Sequence, residues 1–187
     1  MNGVKKIIGL VGETGSGKDT FCQYLKKTVK EPVFCFRFSD PLSEILEILS
    51  GEIKKEDQQW LGKIIRQRFG DDILAKAISK RIKNVKRGVV ILNGIRYWQE
   101  YEMIKKLGGR IVYITADQKL RWLRLRKRGE KKDDFSSFKK FLEKEKAKTE
   151  ILIPKIGQKA DFTIENNSTF ISFYKKIKEV FDKLKIR

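Results

Sequence analysis

The chain has 187 residues, 40% of them hydrophobic and 11% aromatic, and its 43 Lys and Arg against 24 Asp and Glu leave a net charge of +19. This describes one folded domain with a full core and excludes a disordered polyelectrolyte. The absence of His removes imidazole acid–base catalysis and most zinc chemistry. The positive surplus predicts attraction to anions, with nucleotides, coenzymes and nucleic acid as candidate partners, although a solvated, Lys-rich surface accounts for most of it.

The apolar run Lys5–Val11 predicts a first strand with no signal peptide ahead of it. No apolar run reaches the ~18 residues of a membrane helix, so the expected location is the cytoplasm. The run leads without a linker into Gly12-Glu13-Thr14-Gly15-Ser16-Gly17-Lys18-Asp19-Thr20. A buried strand, a glycine-rich turn and then a lysine opening a helix form a phosphate cradle. Gly12, Gly15 and Gly17 let successive N–H groups turn toward phosphate oxygens. The helix N-terminus faces the same anion, and Lys18 adds a mobile charge for the outer phosphates. All nine residues are candidate ATP ligands. The strict pattern places a hydroxyl directly after the lysine. Here Asp19 stands there and the hydroxyl follows at Thr20, which makes this pair the candidate Mg2+ contact, through water. That shift favours a metabolite kinase over a switch NTPase.

A helix is expected over Asp19–Thr28 and a strand over Pro32–Phe38. Cys22 and Cys35, one on each, read as buried free thiols. The second strand ends in Phe38-Ser39-Asp40-Pro41-Leu42. Asp40 before Pro41 suits a helix cap, and it equally suits a carboxylate that orients or deprotonates an acceptor hydroxyl. Both readings stay open, with Ser39 beside it. Helices are expected over Pro41–Leu49, Lys55–Phe69 and Ile73–Lys83. A third strand, Gly88–Asn93, runs into Asn93-Gly94-Ile95-Arg96. An Asp is usual at such a strand end, where it holds a metal's water shell, and Asn93 brings no charge. Arg96 is a candidate to hold an acceptor phosphate through its planar fork.

After a helix over Trp98–Lys106 and a strand over Arg110–Thr115 comes the most basic segment, predicted helical over Lys119–Arg128. Arg121, Arg124 and Arg128 share one face there. Three guanidinium groups on one face repel unless an anion sits among them. A migrating phosphoryl group is one such anion, and a nucleic acid stacked on Trp122 is another. Trp122 itself points elsewhere on the wheel and reads as core. A helix over Phe135–Lys148, a strand over Asp161–Glu165 and a helix over Phe170–Leu184 complete the chain. The last repeats Phe170, Phe173, Ile177, Val180, Phe181 and Leu184 at helical spacing. Strands alternating with helices predict a three-layer α/β/α fold around a five-stranded parallel sheet, with ligands beyond the strands' carboxyl ends.

The SGKDT loop, the SDPL element, the Asn-Gly-Ile-Arg element with Glu100 after it, and Arg124 with Arg128 together resemble the nucleoside monophosphate kinase group of P-loop proteins. The first three elements resemble deoxynucleoside monophosphate kinases. The Arg-Leu-x-x-Arg segment and the terminal Ala160-Asp161-Phe162-Thr163-Ile164-Glu165-Asn166-Asn167 resemble dephospho-coenzyme A kinases, whose strand ending in Asp-Val-Pro-Leu is missing here. The resemblance implies ATP and Mg2+ as cofactors and a nucleotide or coenzyme-like acceptor. It also implies Lys18, Asp40, Arg124 and Arg128 as catalytic residues, with Asn166 near adenine. Arg66 or Arg68 joins Arg96 at the acceptor. Residues 41–83 become the acceptor cover and residues 121–141 a lid on a single kinase domain. A nucleic-acid-associated NTPase is the reading from another class.

Overall fold

The computed structural model describes residues 5–129 and 132–186. Five strands, β1 (Lys6–Val11), β2 (Val33–Arg37), β3 (Val89–Ile95), β4 (Arg110–Thr115) and β5 (Phe162–Glu165), pair in parallel in the order β2-β3-β1-β4-β5. The central strands are continuous apolar runs because helices cover both faces. Alternation along β1 separates the two cores. Ile8 and Leu10 point to α1 (Lys18–Thr28) and α9 (Phe170–Lys183), meeting Phe21, Leu25, Phe173 and Ile177. Ile7 and Val11 point to the opposite face, with Ile78 of α4 (Ile73–Lys83), Ile104 of α5 (Trp98–Lys106), and Ile153 and Ile156 of α8 (Lys148–Gly157). The expected three-layer fold is the observed one. Phe170, counted in the last helix's apolar repeat, is instead exposed at the first turn of α9.

The helices α2 (Asp40–Ser50) and α3 (Lys55–Phe69) pack on each other and on α4, and α2 leads off from the carboxyl end of β2. On the other side of the loop, α6 (Gln118–Arg128) is followed by a single 3-10 turn at Lys132–Phe135 and by α7 (Phe138–Glu145). The long helix expected over Phe135–Lys148 is therefore two pieces. Ser137 caps α7 by accepting from the Lys140 N–H at 3.3 Å, and the chain breaks at Lys146 and Ala147 before α8 begins. No helix was expected over α8, which carries Pro154 inside it. No helix among the described residues is long and apolar enough to cross a membrane. Cys22 is buried, Cys35 half-buried, and both are free.

Candidate active site

The loop between β1 and α1 closes on itself. Gly17 caps α1 with φ of 113°, a backbone that L side chains rarely adopt, and a Cβ there would lie 2.6 Å from the Asn166 amide nitrogen. Only glycine fits. The Lys18 ammonium donates to the carbonyls of Gly12 (2.7 Å) and Glu13 (2.8 Å). Burial of that ammonium, and after it the nearby Arg96, lower its pKa to about 8 against the opposing pull of Asp19, Glu150 and Glu13. Charged groups from the loop, α1, the end of β3 and α8 thus meet at one lysine. In the same loop the Ser16 hydroxyl is fully buried with no partner among the described residues.

The two departures from the usual pattern, Asp19 and Asn93, touch. Asp19 Oδ1 accepts from Asn93 Nδ2 at 2.9 Å and from Arg37 Nη2 at 2.9 Å. The carboxylate expected at the strand end stands instead on the first turn of α1, and an amide replaces it on the strand. Thr20, half-buried, follows on α1. Asp40 does not cap α2. The cap position is Ser39, whose side chain makes no capping bond, and Asp40 is the first helical residue. Its Oδ2 accepts from the Arg37 backbone N–H at 2.7 Å and ties the β2–α2 turn.

A bulge aims the next group. β1 and β3 keep register from Lys6/Val89 to Leu10/Asn93, then skip Gly94, so that Val11 faces Ile95. Gly94 takes φ of 85° to do so. Beyond it, Arg96 Nη1 donates to the Glu150 carboxylate and lies 3.5 Å from the Thr149 carbonyl. Arg66, on α3, sits 4.0 Å over the Tyr97 ring, faces Glu100 at 3.4 Å and donates to the Gly62 carbonyl. Glu100 is buried, which raises its carboxyl pKa. The N–H groups of Arg96 (2.8 Å) and Tyr97 (3.3 Å) hold it against that rise.

The arginine face of α6 finds its anions within the chain. Arg121, buried, donates to the Ala116 carbonyl and pairs with Glu145 of α7. Arg128 makes a two-toothed pair with buried Asp134 at 2.9 and 2.7 Å. Arg121 also reaches the loop, its Nη1 donating to the Thr14 carbonyl at 3.2 Å, and Arg124, unpaired with any carboxylate among the described residues, donates at 2.8 Å to the Asn166 carbonyl. The Asn166 amide in turn donates to the Ser16 carbonyl at 2.8 Å. Two of the three guanidinium groups are therefore neutralised by carboxylates that the spacing of the arginines alone did not reveal. Trp122 is half-buried, not core, with its indole N–H on the Ser136 carbonyl and Arg126 over its ring. Residues 130 and 131, inside the expected lid, lie outside the described residues.

The buried side-chain polar atoms without a partner among the described residues are Glu13 Oε2, Ser16 Oγ, Arg66 Nε, Asn93 Oδ1 and Arg124 Nη1. Glu13 and Ser16 belong to the loop and Asn93 to the end of β3 against Asp19, while Arg66 stands on α3 against Glu100 and Arg124 on α6 against Asn166. Such atoms cost free energy unless something partners them. A family model described as "AAA domain" (AAA_18) matches residues 8–152, from β1 into α8. The chain belongs to that AAA-domain family.

A UPF0200 protein of Sulfurisphaera tokodaii is 29% identical over 182 residues, covering 96% of this chain and 97% of that one. A UPF0200/UPF0201 protein of Archaeoglobus fulgidus is 28% identical over 96% of this chain and 56% of its own length. Among solved structures, shikimate kinase from Bacteroides thetaiotaomicron superposes with a TM-score of 0.65 at 15% identity, covering 97% of this chain and 99% of that one. Dephospho-CoA kinase from Campylobacter jejuni gives 0.54 at 16%, covering 96% and 97%. These likenesses establish a P-loop kinase-like fold.

Three contributors to the site were not legible from sequence motifs: Glu150, Tyr97, and Tyr113, whose hydroxyl donates to Glu13. Burial and that carboxylate raise the Tyr113 pKa to about 12. Glu150 had one available signal. Ile153 and Ile156 repeat at helical spacing behind it, and Pro154 obscured them.

Proposed function

We propose that the protein is an ATP- and Mg2+-dependent phosphotransferase that moves the γ-phosphoryl group to a nucleoside or deoxynucleoside monophosphate. The observation that carries this reading is the Lys18 ammonium turned back on the Gly12 and Glu13 carbonyls, in the loop that also holds the unpartnered buried atoms Ser16 Oγ and Glu13 Oε2. A triphosphate would give Lys18 oxygens in place of two backbone carbonyls, and would give the buried Ser16 hydroxyl a partner. Arg124 and Asn166 stand on the donor-base side, joined to each other and to the loop.

The residues present also fit Mg2+ in one specific way. No group of three or more His, Cys, Asp or Glu among the described residues could hold a metal, so the ion arrives with ATP and keeps most of its ligands as phosphate oxygens and water. Asp19, with Asn93 and Thr20 beside it, supplies the carboxylate for that water shell. Bound there, the ion supplies positive charge against the outer phosphates.

On the acceptor side, Asp40, Ser39, Arg66 and Arg96 lie on β2–α2, α3 and the end of β3, under the cover formed by residues 41–83. An acceptor phosphate is already ionised, so its oxygen attacks without a strong base, and catalysis is positioning and charge neutralisation. Residues 121–141 close over the donor as a lid, with Arg128 fixing the lid's own fold through Asp134.

The test is an ADP-release screen of the purified full chain over nucleoside monophosphates, their deoxy forms, dephospho-coenzyme A and shikimate. Turnover with a monophosphate, lost in Lys18→Ala, is the expected result. Turnover by Lys18→Ala equal to wild type, or preference for an acceptor without a nucleotide, refutes the reading.

A further inference from the structure

We infer that the Glu150 carboxylate is the resident anion of the acceptor-phosphate position, and that an acceptor's phosphate monoester binds Arg96 in its place. The name "acceptor" rests on the kinase reading above; the anion exchange at Arg96 stands on its own observations.

Two arginine–glutamate pairs, Arg66 with Glu100 and Arg96 with Glu150, stand at the end of β3 and differ in kind. Glu100 is fastened by two backbone N–H groups as well as by Arg66, with only 1% of its side chain exposed. It belongs to the frame of the β3–α5 turn. Glu150 comes from the first turn of α8 and meets Arg96 with its side chain 11% exposed. Among the described residues no backbone N–H fastens its carboxylate.

The turn that carries Glu150 is also weakly tied. Pro154 stands four residues on and has no N–H to give the Glu150 carbonyl, so one helical hydrogen bond is missing there. The charges nearby are mixed. Arg96, just past β3, and Glu150 both act on Lys18 of α1, as do Glu13 of the loop and Asp19 of α1. A phosphate brings close to two negative charges and three oxygens to a guanidinium fork now served by one carboxylate. It cannot share Arg96 with Glu150, because like charges at contact distance repel strongly in a half-buried site. Exchange is the arrangement that leaves neither anion unpaired, since a released Glu150 swings outward into water.

The experiment titrates inorganic phosphate, and separately AMP, into the full chain and follows binding by calorimetry and thermal shift, with no turnover required. The binding comparisons are made in a Lys18→Met background, because Glu150 and Arg96 both act on the Lys18 ammonium and would otherwise change phosphate binding at the loop. Glu150→Gln removes the competing charge and is expected to bind both probes about tenfold more tightly than the Lys18→Met parent, the effect of one charge-assisted contact. The gain should vanish in the double variant Arg96→Gln with Glu150→Gln. If Glu150→Gln fails to fold, Glu150→Asp, which withdraws the carboxylate by one methylene, should shift the affinity in the same direction.

Unchanged or weaker binding in Glu150→Gln overturns the inference, as does a gain that survives without Arg96. With Lys18 intact and ATP present, Glu150→Gln should lower KM for a monophosphate acceptor and leave KM for ATP unchanged. If the affinity gain appears but no acceptor turns over in any variant, the kinase reading fails while the anion exchange stands.

Discussion

Asn93→Asp places a second carboxylate against Asp19, whose Oδ1 lies 2.9 Å from the Asn93 amide nitrogen. Two unit charges about 4 Å apart repel by about 1 kcal/mol at the dielectric of water and about 4 kcal/mol at the effective value near a protein surface. The Asp19 side chain is 55% exposed and shares Arg37, which argues for the lower part of that range, while position 93 is buried. Adding the lost hydrogen bond, about 1 kcal/mol, the expected cost is about 2 kcal/mol, or roughly 4 to 8 °C in Tm for a domain of this size. The new carboxyl has a raised folded-state pKa, so the cost is full above that pKa and shrinks as pH falls toward the unfolded value near 4. Urea denaturation at pH 5 to 8 reads this as a widening gap from wild type. The double variant Asp19→Asn with Asn93→Asp restores one carboxylate to the pair and should recover most of the loss. Equal stability of Asn93→Asp and wild type at pH 8, or no recovery in the double variant, refutes the reasoning.

Lys18 loses its proton near pH 8 in the fold but near 10.5 in the unfolded chain. The ligand-free protein should therefore gain stability between those values, since the unfolded state binds more protons there. Its affinity for pyrophosphate should fall over the same range, by up to about tenfold per pH unit above 8, and should be flat in Lys18→Met. A pyrophosphate affinity that does not change from pH 7 to 9.5 contradicts this. Gly157→Ala would bring a Cβ to 2.7 Å from three atoms of the Tyr113 ring, an overpacking cost of about 1 to 3 kcal/mol. The urea midpoint should drop accordingly and recover when Tyr113 is shortened to Val. An unchanged midpoint excludes the contact.

The sheet and most helices were readable because their signals are local: apolar runs for β1 and β3, and helical spacing of Phe173, Ile177 and Phe181 for α9. The break between α7 and α8 was not, because the basic run from Phe138 to Lys148 continues a helical composition across it, and Pro154 then argues against the helix that follows. Glycine and lysine spacing marked the loop. The partners of the arginines were hidden for a different reason. Glu145 lies 24 residues from Arg121, and Glu150 lies 54 from Arg96, so only the fold brings them together. Asn93 looked like a lost charge from sequence, and its distance of 74 residues from Asp19 concealed that the charge had moved.

The helix α8 has a contact at each end with the machinery around the loop. Glu150 engages Arg96 at its start, and Gly157 lies flat on the Tyr113 ring at its finish, with Ile153 and Ile156 seated in the core between them. Tyr113 in turn holds Glu13 through its hydroxyl. One rigid helix therefore ties the arginine beyond β3, through Glu150 and the Thr149 carbonyl, to the first residue after Gly12, through Gly157 and Tyr113.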